Sequence, residues 1–267
     1  MIDVQGHRGA RGYLPENTLP SFARALEMGV STLELDVAVT RDGVVVIHHD
    51  RGLNPAIARG PDGQWVSQAT PIHSLAFAEL QRYDVGRLRP GSEYGRHFPH
   101  QEPRDGTRIP RLAELFQMTQ ANRAIRFNIE PKMDESALDE TLPAPEFARA
   151  LIAEVRKAGV QNRTTVQAFH WPVLKVVERE APEMSTVYCT EGKGSDPARV
   201  REAGGKIWSP DFEQVTPAKL RQARDWGMRV TVWTVNDRAD IARMIAIGVD
   251  GIASDYPDRV LNELKGK

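Results

Sequence analysis

"RVTVWTVNDRADIARMIAIGVDGIAS", residues 229–254, contains one complete strand–helix–strand unit. Residues 229–235 are mostly β-branched or aromatic, a composition typical of a strand. In residues 237–248 the apolar positions recur with the period of a helix, and Gly248 supplies a signal for the helix to end. A further apolar run, 249–254, follows at once. This order predicts two parallel strands joined by a crossover helix.

The same alternation runs through the rest of the chain. Strand patterns cover 2–6, 31–39, 125–130, 163–169, 185–190, 205–210, 229–235 and 249–254. Helical patterns cover 18–28, 111–118, 144–159, 172–179, 196–204, 216–227 and 237–248. Eight such strands in about 250 residues predict a (β/α)8 barrel, the TIM-barrel fold, with residues 1–267 as a single domain. A doubly wound open sheet is the alternative, but its dinucleotide fingerprint is absent after the first strand.

One strand-like run, 43–49, does not belong to the eight. It follows the second strand after a turn centred on Asp42-Gly43, and a parallel crossover needs a dozen or more residues. An Asp-Gly turn between apolar runs predicts an antiparallel hairpin instead. The next segment, 50–110, is rich in Gly, Pro and charge, and only 74–84 has a helical pattern. We interpret 50–110 as an insertion after the hairpin that caps one face of the barrel.

Composition excludes several classes of protein. The formal net charge is −1 with 40% apolar residues, which argues against a nucleic-acid partner or an anionic membrane surface. No apolar run is long enough to span a bilayer, so stable membrane insertion is not expected. Cys189 is the single cysteine, which suits a reducing compartment. The N-terminus lacks the features of a signal peptide, and we expect a cytoplasmic protein.

Three carboxylates occupy adjacent predicted strands. Glu34 and Asp36 are two residues apart on the second strand, so they share one face, while Leu35 between them points the other way. Glu130 lies near the end of the following strand. Carboxylates facing a barrel axis are costly unless a cation compensates their charge. Oxygen ligands without clustered thiols favour a hard divalent cation, Ca²⁺ or Mg²⁺.

Two histidines and two cations join these carboxylates. His7 and Arg8 end the first strand, where a barrel of this kind carries its chemistry. The hairpin register returns His49 to the level of the carboxylates, with His48 as its rival. Two imidazoles beside a metal suit general acid–base chemistry on an oxygen ester. Arg8 and Lys132 add positive charge for a phosphoryl group. The residues therefore predict metal-assisted cleavage of a phosphate ester.

These residues lie in motifs that resemble the glycerophosphodiester phosphodiesterase family. The matching motifs, in order, are HRG (7–9), ENT (16–18), ELD (34–36), DG (42–43), HD (49–50), NIEPK (128–132), WTVN (233–236) and GVDGIASDYP (248–257). The resemblance spans nearly the whole chain. It implies a TIM barrel with an insertion after the hairpin, and hydrolysis of small glycerophosphodiesters to glycerol 3-phosphate and an alcohol. It also implies a cyclic phosphate intermediate, formed by attack of the glycerol's own hydroxyl.

The resemblance also implies a role for each matching residue. The implied roles are metal ligands for Glu34, Asp36 and Glu130, an acid–base pair for His7 and His49, phosphate contacts for Arg8 and Lys132, a supporting or fourth metal-side carboxylate for Glu16, and a cleft wall for Trp233. The chain departs from the family in lacking the Arg-Thr-Thr pattern often found shortly after the His-Asp pair, and in having Pro131. Both departures bear on substrate preference more than on reaction type.

Several alternatives stay open at this level. Glu16 and Asn17 could cap the following helix, since Asn is a good N-cap residue, and Trp233 could be barrel core. A toxin-type phospholipase D is a second enzyme class, although those proteins rely on disulfide-tied loops. A barrel that binds phosphodiesters without turnover is a third. The residues do not distinguish choline, ethanolamine, inositol and glycerol head groups.

Overall fold

The computed structural model describes residues 2–133, 137 and 140–266, and these form a closed barrel of eight parallel strands plus a ninth, antiparallel one. The strands are β1 (Asp3–Gly6), β2 (Thr32–Val39), β3 (Val45–Ile47), β4 (Arg126–Pro131), β5 (Thr164–Ala168), β6 (Ser185–Thr190), β7 (Ile207–Pro210), β8 (Arg229–Val232) and β9 (Gly251–Ser254). The sheet order is β1-β9-β8-β7-β6-β5-β4-β2-β3, and β1 also pairs with β2. That last pairing closes the barrel, so the predicted TIM-barrel fold is confirmed.

Helices surround the barrel in the expected alternation. The α-helices of the described residues are α1 (Leu19–Met28), α2 (Phe77–Leu80), α3 (Glu93–Arg96), α4 (Leu112–Met118), α5 (Ala144–Lys157), α6 (Trp171–Glu180), α7 (Pro197–Glu202), α8 (Pro217–Asp225), α9 (Arg238–Ile247) and α10 (Pro257–Lys265). Gly248 caps α9 in the left-handed conformation, as its position predicts. None of these helices has the length and apolar character needed to cross a membrane.

Three local predictions differ from the structure. The strand predicted at 229–235 ends at Val232, because Trp233 leaves the ladder for a single bridge to Asp211. The helix predicted at 74–84 is only α2, since Asp84 pairs with Arg59 instead. Helix α10 was not predicted, although its first residue is a proline that suits this position.

The hairpin of β2 and β3 has the predicted register. Val37 lies opposite Ile47 and Val39 opposite Val45, so residue numbers of facing pairs sum to 84. The turn is closed by hydrogen bonds between Thr40 and Val44. Because the next position continues this register, the backbone N–H of His48 donates to Asp36 O at 3.0 Å.

The two faces of β2 separate the apolar core from the polar interior. Leu33, Leu35 and Val37 are fully buried in the main apolar cluster between the strands and helices. Glu34 and Asp36 alternate with them and are also buried, but they point into the barrel. The period of two residues along a strand therefore places both carboxylates on one side.

Residues 50–110 build a second, smaller apolar cluster against the hairpin. Ala38 and Val46 of the hairpin pack there with residues of the segment, among them Leu53, Ile72 and Leu80. Other parts of the segment lie against the loop that follows β1. Gln101 Nε2, for example, donates to the backbone oxygen of Arg11 at 2.8 Å, and Arg11 lies over the ring of Phe98.

Candidate active site

A cavity of about 150 Å³ opens among the carboxyl ends of the barrel strands. Its lining includes eight of the nine residues assigned roles from the sequence: His7, Arg8, Glu34, Asp36, His49, Glu130, Lys132 and Trp233. Glu16, the ninth, lies behind Arg8 and contacts its guanidinium. The structure thus brings together side chains from β2 and β4 and from the segments that follow β1, β3, β4 and β8.

The three carboxylates form a compact, buried group. Glu34, Asp36 and Glu130 each offer an oxygen, and these oxygens lie within 4.8 Å of one another. The register explains the grouping, because Asp36 faces Glu130 directly across the β2–β4 pair. Three buried anionic oxygen donors at this separation suit a hard divalent cation, so the residues fit such an ion.

Neighbouring donors hold the carboxylates in place. The backbone N–H of Arg8 donates to Glu34 Oε2 at 2.9 Å, and Gln167 Nε2 donates to Glu34 Oε1 at 2.6 Å. Asn17 Nδ2 donates to Asp36 Oδ2 at 2.9 Å. The side chain of Asn17 is therefore committed to Asp36, and the cap of α1 is Thr18. The alternative that Asn17 caps the helix is wrong.

Burial and charge drive the pKa values of two of these carboxylates apart. Burial, followed by repulsion from Asp36, holds the pKa of Glu34 well above its usual range. Burial acts in the same direction on Asp36, but His49, Arg8 and Lys132 outweigh it and lower the pKa of that carboxyl. A divalent cation would relieve the repulsion within the group, which is the second reason that the site fits one.

His7 is fixed by three neighbours at the base of the cavity. Its Nδ1 lies 2.7 Å from Asp255 Oδ1 and 3.2 Å from Arg11 Nη2, while its Nε2 is 3.9 Å from Glu34 Oε2. Burial, followed by Arg11, lowers the pKa of His7 to about 4, although Asp255 opposes the shift. The imidazole is therefore neutral at neutral pH and can accept a proton.

Asp255 is a site residue that the sequence reasoning did not assign. It accepts two hydrogen bonds from Arg11, at 2.7 and 3.0 Å, and one from Asn236 Nδ2 at 2.7 Å, besides its contact with His7. Asp255 lies directly after β9 and inside the motif at 248–257, and that position could have identified it as a site residue. A carboxylate that orients a histidine in this way recurs in acid–base sites.

The second histidine of the cavity is His49 and not His48. His49 lines the cavity, and its Nδ1 lies 2.7 Å from Asp50 Oδ1. His48 is buried on the other side of the chain, where its Nε2 lies 3.3 Å from Gly52 O. His49 is also more exposed than His7, with 29% against 12% of the side chain accessible. The two imidazoles thus differ in environment.

Arg8 adopts an unusual backbone conformation. Its φ is 52°, in the left-handed region that costs a non-glycine residue about 1 kcal/mol or more. This turn directs its N–H at Glu34 while its guanidinium Nη1 donates to Glu16 Oε1 at 2.8 Å. The same guanidinium places Nε 3.3 Å from Asp36 Oδ2. Arg8 is thereby held by carboxylates both at its backbone N–H and at its guanidinium.

Tyr94 of the 50–110 segment reaches this arginine and was not predicted. Its hydroxyl hydrogen-bonds to Glu16, lies 3.2 Å from Arg11 Nη1 and lies 3.5 Å from Arg8 Nη1. Arg8 and Arg11 lower the pKa of Glu16 against the opposing effect of burial. Glu16 is therefore an anion shared by two arginines and a tyrosine.

Lys132 follows β4 and adds a further cation to the lining of the cavity. Its Nζ lies 2.7 Å from Glu130 Oε1 and 3.6 Å from Asp36 Oδ1. Burial opposes its charge, but Glu130 and Asp36 raise the pKa of the amine above its usual value. The side chain is 17% exposed, so a fixed positive charge faces the cavity.

Aromatic side chains form the opposite edge. Trp233 donates from Nε1 to Ser209 O at 3.0 Å, and its ring meets that of Phe169 edge to face, with centroids 5.4 Å apart. Phe169 and His49 also line a wider groove of about 640 Å³ beside the cavity. Cys189 also lines the cavity, where it is buried and its thiol pKa is raised by that burial.

Comparison with known proteins gives consistent similarities. A model of the glycerophosphoryl diester phosphodiesterase family matches residues 7–259. A glycerophosphodiester phosphodiesterase from Caldanaerobacter subterraneus subsp. tengcongensis is 26% identical over 260 residues, covering 97% of this chain and 96% of that protein. A structure from Silicibacter pomeroyi, provisionally named a glycerophosphoryl diester phosphodiesterase, is 37% identical with a TM-score of 0.93, covering 100% of this chain and 94% of that one. An Oleispira antarctica phosphodiesterase, solved with its product sn-glycerol-3-phosphate, shares the fold at 23% identity and a TM-score of 0.79, covering 98% and 96%.

Proposed function

The chain belongs to the glycerophosphoryl diester phosphodiesterase family, and we propose that its cavity hydrolyses glycerophosphodiesters to sn-glycerol 3-phosphate and an alcohol with one divalent cation. Because the chain belongs to this family, the protein is an enzyme that hydrolyses phosphodiesters. The observation that carries the proposal is the meeting, in one cavity, of three buried carboxylates with two imidazoles of different environment.

In this proposal Glu34, Asp36 and Glu130 hold the cation, which is Ca²⁺ or Mg²⁺. When bound, the ion supplies positive charge to a phosphoryl oxygen. The arrangement of the carboxylates supports this role, because their oxygens lie within 4.8 Å of one another and each residue is buried.

Arg8 and Lys132 bind the phosphoryl group. Both cations are fixed by carboxylates before substrate arrives, Arg8 by Glu16 and Lys132 by Glu130. Such preorganisation lets them stabilise developing negative charge without rearranging at the moment of reaction. Glu16 acts by holding Arg8, and the lining position of Trp233 supports a role as a wall for the glycerol part of the substrate.

The two histidines move the protons. His7 is neutral and takes the proton from a glycerol hydroxyl as that oxygen attacks phosphorus. His49 gives a proton to the alcohol oxygen as the P–O bond to the alcohol breaks. The position of His49 supports this division, because it borders both the cavity and the groove, where the alcohol has room. Water then opens the resulting cyclic phosphate, with His49 taking a proton from the water and His7 returning its proton to the departing glycerol oxygen. The intramolecular first step is entropically favoured.

Residues 50–110 cap the cavity as part of the same domain. Tyr94 supports this part of the proposal, since it joins the segment to Glu16 and Arg11 at the cavity edge. The predicted location stays the cytoplasm, because a chain with a single cysteine suits a reducing compartment.

The test is release of glycerol 3-phosphate from glycerophosphocholine by protein stripped with EDTA. We expect no release without added metal and recovery of release with Ca²⁺ or Mg²⁺. Glycerophosphoethanolamine, glycerophosphoinositol and glycerophosphoglycerol then rank the head groups. Absence of release with every metal and every diester would overturn the proposal, and release that survives EDTA would remove the metal from it.

A further inference from the structure

Three buried amide side chains occupy the middle of the barrel. Gln5, Asn128 and Gln167 come from β1, β4 and β5, and each is at most 7% exposed. The interior of such a barrel is ordinarily filled with branched apolar side chains. Buried amides are costly unless they are hydrogen-bonded, so these three, the amide column, require an explanation.

Hydrogen bonds give the amide column a single direction. Thr165 Oγ1 donates to Asn128 Oδ1 at 2.8 Å, which leaves both N–H groups of Asn128 free to donate. They reach Gln167 Oε1 at 2.8 Å and Gln5 Oε1 at 3.0 Å. Each glutamine thus turns its oxygen to Asn128 and its N–H groups outward.

Each end of the amide column meets a carboxylate, which in the ionised form that binds a cation only accepts hydrogen bonds. Gln5 Nε2 donates to Asp3 Oδ2 at 2.9 Å at one end, and Gln167 Nε2 donates to Glu34 Oε1 at 2.6 Å at the other. Because Asp3 and Glu34 accept at the two ends and Asn128 donates twice in the centre, each of the three amides has one orientation. Inverting Gln167 would set its oxygen against Glu34.

We propose that Gln167, oriented by Asn128, is a positioning residue that fixes the Glu34 carboxylate for the divalent cation. Glu34 then has one donor on each oxygen, Gln167 on Oε1 and the backbone of Arg8 on Oε2. Two donors on opposite oxygens fix the plane of the carboxylate, and both leave lone pairs for a cation. The inference rests on the proposed function only in taking Glu34 as a metal ligand.

The first test is the affinity for Ca²⁺ and Mg²⁺, each alone, measured by calorimetry on the whole 267-residue chain after removal of metal. Gln167→Met keeps length but loses the donor, and we expect binding to weaken by about 10- to 100-fold, the usual effect of removing a partner of a metal ligand. Gln81→Met is the matched control, since the side chain of half-buried Gln81 donates to Ile109 O in the 50–110 segment. Its affinity should match the wild type.

A second variant tests the orientation itself. In Asn128→Leu the central group keeps nearly the same shape but loses both donors, so nothing holds the oxygen of Gln167 away from Glu34 and the amide is free to invert. We expect Asn128→Leu to weaken cation binding by a similar factor although Gln167 is unchanged. The variant adds no buried charge, so it serves if Gln167→Met does not fold by circular dichroism.

A double-mutant cycle decides between positioning and a general effect on the barrel. If Asn128 acts through Gln167, Asn128→Leu adds no further loss in the Gln167→Met background. Full additivity, or wild-type affinity in Gln167→Met, would overturn the inference. At saturating cation, kcat of Gln167→Met should stay within about threefold of wild type, because positioning affects occupancy more than chemistry.

The outcomes separate this inference from the proposed function. A wild type that binds the cation but releases no glycerol 3-phosphate sinks the proposed function, while a weakened Gln167→Met still supports positioning. A wild type that hydrolyses the diester, with a Gln167→Met variant that binds the cation equally well, sinks the positioning role alone.

Discussion

The strands of the barrel and the 50–110 segment reach the same cavity by different means. On β2 and β4 the carboxylates face inward because side chains alternate along a strand, and the register sets Asp36 opposite Glu130. The segment has no such period, yet its Tyr94 reaches Glu16 and Arg11. Regular strands therefore bring the cavity carboxylates together, whereas the irregular 50–110 segment contacts the side chains that support them.

The largest effect should come from the two histidines. His7 lies at the end of a barrel strand, and His49 lies where the barrel chain enters the segment. His7→Ala or His49→Ala should each reduce turnover of glycerophosphocholine by about two or more orders of magnitude with the fold intact, the scale for acid–base groups. His100→Ala, an exposed histidine in the segment, is the control. Normal turnover in both active-site variants would contradict the assignment.

A core truncation in each region tests whether the segment folds with the barrel. Leu35→Ala in the main cluster and Leu53→Ala in the second cluster remove fully buried side chains. Each should lower the free energy of unfolding by about 2–5 kcal/mol, measured by urea unfolding followed by circular dichroism. We expect one shared transition in both variants. A separate early transition in Leu53→Ala would make the segment an independent unit.

A smaller effect should follow from the residue that orients His7. Asp255→Asn keeps the volume but loses the negative charge beside His7 Nδ1 and Arg11. We expect kcat to fall, but by less than the roughly hundredfold or greater loss in His7→Ala, because the imidazole loses its fixed orientation and is still present. Steady-state kinetics at saturating metal measures this loss. Unchanged kcat would show that Arg11 and Thr234, the other neighbours of His7 Nδ1, suffice.

The smallest effect should come from the segment. Tyr94→Phe removes one hydroxyl shared by Glu16 and Arg11, so it should raise KM by roughly 3- to 10-fold through looser placement of Arg8, with little change in kcat. Tyr83→Phe, a tyrosine packed on the second cluster, is the matched control. A fall in kcat of Tyr94→Phe as large as that of Asp255→Asn would remove the distinction between the two regions.

The sequence predicted the barrel and several side chains that line its cavity because both depend on short-range periods. Alternation of side chains on β2 and the Asp-Gly turn were enough to predict that Glu34, Asp36 and His49 lie close together. The predicted strand ends lie within two residues of the observed ones, except at the end of β8. Each of these features depends on residues that are close together in the chain, so a short sequence pattern is enough to predict it.

The supporting residues escaped prediction because their partners are distant. Tyr94 is 78 residues from Glu16, and Asp255 is 248 residues from His7. No period links such pairs. The pairing of β1 with β9 brings Asp255 to His7, and packing of the 50–110 segment brings Tyr94 to Glu16. Gln167 was likewise an ordinary polar residue on a strand until its neighbours from β2 and β4 were known.

Cys189 has a practical consequence for measurement. It is the only cysteine among 267 residues, it is 3% exposed, and it lines the cavity among the strand ends. A thiol reagent that enters this cavity is the one that reaches Cys189, so the rate of labelling reports access to the cavity. An adduct at this position would occupy cavity space, so we expect labelling and loss of turnover to proceed together. The chain thus contains its own reporter for what enters the cavity.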